Sequence, residues 1–182
     1  MTLAHDTLLI AALRQALREA RSPWADAPLA RLHDKGLAHH HVRLGASGVL
    51  ARVPKHSQMG LGAADNLAYE AACYRRAAAS GHVPRVHGLL PVSAALPHGA
   101  LLVEEIVGRS ARLPEDLDAI ADAFAAIHAL PLPDGDAAAR APLLDAADPL
   151  AALRDEIEAQ AAYLDAAALQ PAARAAIDAT RE

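Results

Sequence analysis

Arg52 is the residue of this sequence best placed to bind an anion. It ends the run VLAR, which predicts a β-strand, and successive side chains of a strand point to opposite faces. Leu50 and Arg52 should therefore share one face, where Leu50 could cover a flat base and the guanidinium could reach its phosphates. Two alternatives stay open. Arg52 is an exposed basic residue at a strand end, or Lys55, one of the two lysines in the chain, meets the anion instead.

Glu70 is the acidic residue that could pair with Arg52. It lies in the segment NLAYEAACYRRAAAS, whose spacing predicts a helix with one apolar stripe. The stripe comprises Leu67, Ala71 and Tyr74. Because Glu70 lies one position from its edge, the carboxylate could turn inward and fix the geometry of Arg52. The alternative is a solvated glutamate with Arg75 or Arg76 as its partner.

Strands and one helix must bring these residues together. VRLGASGVLARVPK predicts two strands joined by a hairpin turn at Gly45–Gly48, after a connection and a first strand within PWADAPLARLHDKGLAHHH. The helix follows, with Asp65 or Asn66 as its cap and Gly81 as its end. VPRVHGLLPV and ALLVEEIVG predict two further strands. This order predicts an α+β fold, an antiparallel sheet with one internal helix followed by a helical segment.

The strand ALLVEEIVG could also serve as a hinge that binds a flat base. Pairing stops at a strand end, so the backbone of Glu104 and Ile106 would offer a carbonyl and an amide, with Val103 at the back wall. The alternative is an ordinary strand that ends in a turn.

A metal site is one interpretation of the three consecutive histidines His39, His40 and His41, since imidazoles are common metal ligands. Only His39 and His41 could share a strand face, and no carboxylate or cysteine lies nearby in sequence. A polar loop beside Gly36 is therefore the preferred interpretation. The carboxylates of residues 134–136 are likewise expected to face solvent.

Helices flank this unit. The predicted helices cover residues 6–21, residues 114–130, a segment opened by Asp148-Pro149 and a segment opened by Gln170-Pro171. His128 ends the second of them, and it is expected to pack or to cap the helix because no carboxylate or nucleophile accompanies it.

The composition excludes several classes of function. The 182-residue chain is 53% hydrophobic and carries a formal net charge of -5. No basic run exists beyond Arg75-Arg76, so neither nucleic acid nor a membrane surface is an expected partner. The single cysteine, Cys73, excludes an intrachain disulfide. Because the amino terminus lacks the pattern of a signal peptide, a cytoplasmic location is expected.

In order and spacing, four segments resemble the aminoglycoside phosphotransferase and choline-kinase-like family. The matching features are Val49–Arg52, Glu70, Val83–Val86, Leu101–Gly108 and Ile127–Leu130. The resemblance covers roughly residues 30–132. It implies a kinase-like nucleotide-binding lobe at 30–108, after a helix and connection at 1–29 and before the helical start of a carboxy-terminal lobe at 109–182.

The resemblance also implies roles for individual residues. Arg52 takes the place of the strand lysine that grips the nucleotide phosphates, with Glu70 as its ion-pair partner. The backbone of Glu104 and Ile106 would hold adenine, and the loop Gly36–His41 would lie over the phosphates. The complete enzyme would use ATP or GTP, with magnesium, to phosphorylate a hydroxyl of a small molecule.

Part of the family pattern is missing from this sequence. Such enzymes need a His-Gly-Asp loop followed by Asn, and a further Asp for magnesium. His98-Gly99-Ala100 lacks the Asp, and nothing after His128 supplies the set. No catalytic or metal-binding residue is therefore predicted, and the chain is expected to be a truncated phosphotransferase that is inactive alone.

Two other hypotheses stay open. One is a degenerate kinase-like lobe that binds nucleotide or a protein partner, with self-association through an apolar face left by the missing lobe. The other is an unrelated α+β domain, which predicts that Arg52 and Glu70 lie far apart.

Overall fold

The computed structural model describes residues 2–33, 36–57, 59–131 and 148–165. In chain order, these residues form α1 (Thr2–Glu19), β1 (Leu29–Arg31), β2 (His39–Leu44), β3 (Val49–Pro54), α2 (Ala63–Ala77), β4 (Val86–Leu90), β5 (Ala100–Glu104), α3 (Leu117–His128) and α4 (Pro149–Asp165). The chain divides into two compact units, Met1–Leu143 and Leu144–Glu182. The first contains every described strand, and the α+β class predicted from the sequence is confirmed.

The strands form one antiparallel sheet in the order β1-β2-β3-β5-β4. β2 and β3 form the predicted hairpin, whose turn places Gly45 and Gly48 at positive φ (61° and 71°), where glycine fits without strain. The register sets His41 opposite Arg52, so His39, two residues earlier, shares their face. The expectation of a polar histidine loop was wrong, because the run pairs with β3 as part of β2.

Helix α1 covers one face of the sheet. Leu13 and Leu17 are fully buried in a cluster with Val42, Ala51 and Leu102 of the central strands. Burying such side chains contributes about 1.5–3 kcal/mol each before ordering costs are subtracted. The amino-terminal helix therefore belongs to the same core as the sheet.

Helix α2 packs on the other face. Leu67 and Ala71 form a second buried cluster with Leu101 and Val103 of β5. Because these contacts fix the rotation of the helix, they hold Glu70 over β3.

The start of α2 differs from the prediction. The helix begins at Ala63 with Gly62 at its N-cap position, rather than at Asp65 or Asn66. Asn66 is buried, and its side-chain amide donates to Glu70. A contact between residues four apart in the helix thus uses the group that residue type alone assigns to capping.

The start of α3 also lies later than predicted. The helix begins at Leu117 with Asp116 at its N-cap position, because residues 113–116 form a turn rather than a first helical turn. In this turn the Asp116 carboxylate accepts hydrogen bonds from the Arg109 guanidinium (2.5 and 2.8 Å) and from the Arg112 backbone N–H (2.7 Å).

Two other predicted helix boundaries are confirmed. After α2 and a short 3-10 turn, Gly81 adopts a left-handed conformation with φ 74°. In the second unit, a carboxylate oxygen of Asp148 accepts the backbone N–H of Leu150 at 3.1 Å, as expected of a cap. The acidic turn at 134–136 and the helix predicted from Gln170 lie outside the described residues. None of the described helices is both long and apolar enough to cross a membrane.

Candidate functional site

His39, Arg52 and Glu70 form one connected group on the α2 side of the sheet. Nε2 of His39 lies 2.9 Å from Oε1 and 3.1 Å from Oε2 of Glu70. Nη2 of Arg52 lies 3.1 Å from Nδ1 of His39, and its Nε lies 3.7 Å from Oε2 of Glu70. The arginine and the glutamate thus adjoin both directly and through the imidazole. The wide separation expected of an unrelated domain is not observed.

Two further residues of α2 support this group. Nδ2 of Asn66 donates to Oε1 of Glu70 at 3.0 Å. The Arg52 guanidinium carbon lies 5.8 Å from the centre of the Tyr74 ring, a distance at which a cation and an aromatic face attract. Because residues four apart lie on the same side of a helix, Asn66, Glu70 and Tyr74 present one continuous surface to β3.

The hydrogen bonds of His39 define its tautomer. A guanidinium has only donors, so Nδ1 of His39 must accept from Arg52. The proton of the neutral imidazole is then on Nε2, which donates to Glu70. With only 8% of its surface exposed, His39 is a bridge between two charges. This placement corrects its predicted position in a loop over the phosphates.

The pKa of Glu70 lies below its ordinary value although the group is partly buried. Burial is the largest single influence and raises the pKa, because it disfavours the charged form. The hydrogen bonds from His39 and Asn66 and the charge of Arg52 act in the opposite direction, and the net effect is a lowered pKa. The carboxylate is therefore ionised at neutral pH and holds its partners in place.

Arg52 retains capacity to bind an anion. Its Nε is buried beside Glu70, so an anion would meet the remaining part of the guanidinium, on a side chain that is 27% exposed. A guanidinium carries five N–H donors. A phosphate bound beside β3 would therefore meet an arginine whose geometry is already fixed by Glu70, His39 and Tyr74.

An open cleft of about 470 Å³ extends along the same face of the sheet. It is lined by Leu32, His33, His41, Arg43, Leu50 and residues 105–108. His41 connects the cleft to the charged group, since its ring lies 6.4 Å from that of His39. Ligand pockets typically enclose about 300–1,000 Å³, so the cleft is large enough for a nucleobase.

An ion pair closes one side of this cleft. Nε of Arg43, on β2, lies 2.9 Å from both carboxylate oxygens of Glu105, and its Nη2 also contacts that carboxylate. The hydrogen bond and charge of Arg43 lower the pKa of Glu105. This pair ties the hairpin to the segment that follows β5.

The hinge residues predicted from the sequence lie in different surroundings. Leu50 and Ile106 both line the cleft. Glu104 ends β5, where its backbone N–H donates to the carbonyl of Arg85 at 2.8 Å. Val103 is buried against α2 rather than among the residues that line the cleft. Val103 pairs with Leu50, which does line the cleft, so its predicted role as a back wall stays a prediction.

Lys55, the second candidate for the phosphates, lies elsewhere. It follows the end of β3 and lines a separate depression on the α1 side of the sheet, together with Val53 and His40. In an extended chain, a residue three positions after Arg52 points to the opposite face. The structure therefore brings Arg52, and not Lys55, to Glu70.

Sequence reasoning missed Arg43 and Glu105, placed His41 in a loop and assigned Asn66 to a cap. The signal for the two β2 residues was the two-residue spacing of positions 39, 41 and 43, which matches that of Leu50 and Arg52 on the paired strand. For Asn66 the signal was the four-residue spacing to Glu70.

Among the residues that the structure describes, no three His, Cys, Asp or Glu side chains are grouped so as to hold a metal ion. Comparisons of the chain with protein-family models, with curated proteins and with solved structures found no match.

Proposed function

We propose that this chain is the nucleotide-binding part of a kinase-like small-molecule phosphotransferase. The observation that carries the proposal is the strand arginine held against a helix glutamate, Arg52 and Glu70, beside an open cleft on the same face of the sheet. Phosphoryl transfer depends on positioning and on neutralising phosphate charge. A guanidinium that is fixed by protein contacts before the ligand arrives suits that purpose.

The proposed nucleotide lies along the cleft. Its base contacts Leu50 and the backbone near Ile106, and its phosphates extend past His41 to Arg52. The order of elements, five antiparallel strands with one helix between the third and fourth, supports a kinase-like arrangement of this lobe. We propose ATP or GTP as the nucleotide, with magnesium supplied in the complete enzyme, and a cytoplasmic location.

The chain alone is not expected to transfer a phosphoryl group. His98-Gly99-Ala100 lacks the aspartate of the family loop, and Ala100 is a buried residue of β5. The chain would bind the nucleotide. Residues that this sequence does not supply would bind the small molecule whose hydroxyl accepts the phosphoryl group.

A second candidate function is a lobe that binds a protein partner. Large apolar side chains are exposed after β5, including Val107 (91%), Leu113 (70%) and Phe124 (60%). Exposed apolar surface of this kind favours association. Sedimentation that changes with protein concentration in the wild type, but not in Phe124→Glu, would support this candidate.

Thermal unfolding with ATP and magnesium, or GTP and magnesium, tests the nucleotide proposal. A ligand at about 100 times its Kd stabilises a protein by about 2.7 kcal/mol, which raises Tm by several degrees. The wild type should show this shift, Arg52→Lys should retain most of it, and Arg52→Ala should lose it. Each variant is compared with its own Tm without nucleotide, because Arg52→Ala also changes stability.

Arg18→Ala is the matched control. Arg18 is an exposed arginine of α1, paired with Asp26 on the surface, so its removal should leave the nucleotide-dependent shift unchanged. A shift absent from the wild type at millimolar ATP and GTP would overturn the proposal. An equal shift in wild type and Arg52→Ala would overturn the assignment of Arg52.

A further inference from the structure

The imidazole of His39 has one nitrogen that can change from a hydrogen-bond acceptor to a donor. In the neutral ring, Nδ1 accepts from Nη2 of Arg52 at 3.1 Å, and Nε2 donates to the carboxylate of Glu70 at 2.9 Å. When the ring takes up a proton, both nitrogens become donors. The bond from Arg52 is then lost, while the bond to Glu70 is kept and becomes charge-assisted.

The charged and titratable groups that face this ring come from three elements. Among the described residues they are Glu70 of α2, Arg52 of β3 and His41 of β2, whose ring lies 6.4 Å away. Tyr74 of α2 lies beyond Arg52, with its ring centre 5.8 Å from the guanidinium carbon. The carboxylate of Glu70 already adjoins one cation. A protonated His39 would therefore repel Arg52 unless a further anion offset the second positive charge.

A phosphate bound to Arg52 would supply that anion. Nε of Arg52 is buried beside Glu70, so a phosphate oxygen would bind at the Nη nitrogens, one of which donates to His39. The oxygen would then lie next to Nδ1 of His39. The neutral ring presents a lone pair to that oxygen, whereas the protonated ring donates an N–H to it.

Proton uptake also removes a cost of binding the phosphate. His39 is buried, so water has little access to Nδ1. A phosphate that drew Nη2 of Arg52 away from the ring would leave this nitrogen without its donor, and a buried polar atom without a partner is unfavourable. A proton on Nδ1 makes the nitrogen a donor to the phosphate and satisfies both groups.

We propose that phosphate binding at Arg52 is coupled to the uptake of a proton by His39. A proton from solvent bonds to Nδ1, the hydrogen bond from Arg52 to that nitrogen breaks, and the proton on Nε2 stays in place toward Glu70. This inference rests on the proposed nucleotide site and says how pH regulates it. Because couplings between binding events are reciprocal, the nucleotide should bind more tightly as pH falls through the range in which imidazoles change charge, about pH 8 to 5.

Calorimetric titration counts the protons taken up when the nucleotide binds. The full chain is titrated near pH 7 with ATP and magnesium, or with GTP and magnesium if GTP binds more tightly, in buffers of different ionisation enthalpy. The wild type should take up more protons than His39→Gln, since glutamine keeps an N–H for Glu70 but does not titrate. Protons taken up by the nucleotide itself cancel in this comparison.

The pH dependence of the Kd measures the strength of the coupling. From about pH 8 to about pH 6, nucleotide binding should tighten about fivefold more in the wild type than in His39→Gln, the lower end of usual coupling between two sites. His82→Gln is the matched control, because His82 is exposed and should leave the tightening unchanged. Tightening that is lost in His41→Gln but kept in His39→Gln would overturn the assignment to His39.

The experiment separates failure of the coupling from failure of the nucleotide site. Nucleotide binding with equal proton uptake in wild type and His39→Gln would overturn the coupling alone, whereas no binding of ATP or GTP to the wild type would overturn both proposals. Nitrogen NMR of the wild type decides if His39→Gln does not fold. Nδ1 of His39 should become protonated when nucleotide is added at about pH 6, and an Nδ1 that stays unprotonated at saturation would overturn the proposal.

Discussion

The imidazole of His39 donates to the carboxylate of Glu70, with Nε2 within 3.1 Å of both carboxylate oxygens. The two residues are 31 positions apart in sequence. His39 lies on β2 and Glu70 on α2, and both adjoin Arg52. The neutral imidazole therefore links an anion to a cation without adding charge of its own. Arg52 is held by a hydrogen bond on one side and an aromatic ring on another.

Glu70→Ala should destabilise the chain by about 1–3 kcal/mol, because it leaves the buried donors of Asn66 and His39 without an acceptor. Glu70→Gln should cost less, since its amide oxygen still accepts one of these bonds. Unfolding in urea measures both. Glu19→Ala, which removes an exposed glutamate that accepts a hydrogen bond from Gln15, should stay within about 0.5 kcal/mol of wild type. A Glu70→Ala effect no larger than that of the control would contradict the network.

The contribution of Glu70 should depend on pH. Its pKa is lower in the folded chain than the ordinary glutamate value of about 4.3. For a lowered pKa, the stabilisation is complete above the unfolded value and is lost as pH falls through the folded value. The difference in unfolding free energy between wild type and Glu70→Gln should therefore be constant from pH 7 to about 5 and shrink below about 4. A difference that grows on acidification would mean that burial outweighs the partners of Glu70.

His39 should carry its proton on Nε2 near neutral pH. Long-range nitrogen–proton NMR correlations distinguish the two imidazole tautomers, and a His39→Asn variant identifies the signals by their absence. His82, which is exposed, provides a reference for an unconstrained ring, and it should exchange between tautomers. Finding the His39 proton on Nδ1 would show that Arg52 does not donate to the ring.

Gly99→Ala should be among the more damaging single substitutions. A Cβ at this position would lie 2.7 Å from both Cδ2 of Leu67 and the carbonyl oxygen of Leu90, and φ is +63°. We expect a cost of about 1–2 kcal/mol for the left-handed backbone plus about 1–3 kcal/mol for overpacking. Gly81→Ala has a similar φ of +74° but open space around the added atom, so it should show only the first cost. Equal losses of stability would contradict the packing of α2 on this turn.

The sequence predicted the hairpin and the regions of the helices because these depend on neighbouring residues. The turn glycines at 45 and 48 and the cap at Asp148 act within a few positions of the structure they determine. The first half of β2, which contains His39, was missed because its polar side chains suit a loop equally well. Only pairing with β3 distinguishes the two interpretations.

The site itself was only partly predictable, for a different reason. Period-two alternation could have assigned Lys55 to the face opposite Arg52. Which face receives α2 depends on packing between distant segments, as does the burial of Val103 beneath that helix. The bond from Asn66 to Glu70 is instead a local contact between residues four apart, and it was missed because residue type alone favours a cap.

The Arg43–Glu105 ion pair makes one side of the cleft sensitive to ionic strength. The pair joins the β2–β3 hairpin to the segment after β5 at the surface, where dissolved ions reach it. Attraction between exposed charges weakens as ionic strength rises. In concentrated salt the pair should therefore open, while the hydrogen bond from the Glu105 backbone N–H to the carbonyl of Gly48 keeps the two segments together. The ionic strength of the solution would then determine whether these two side chains close that side of the cleft.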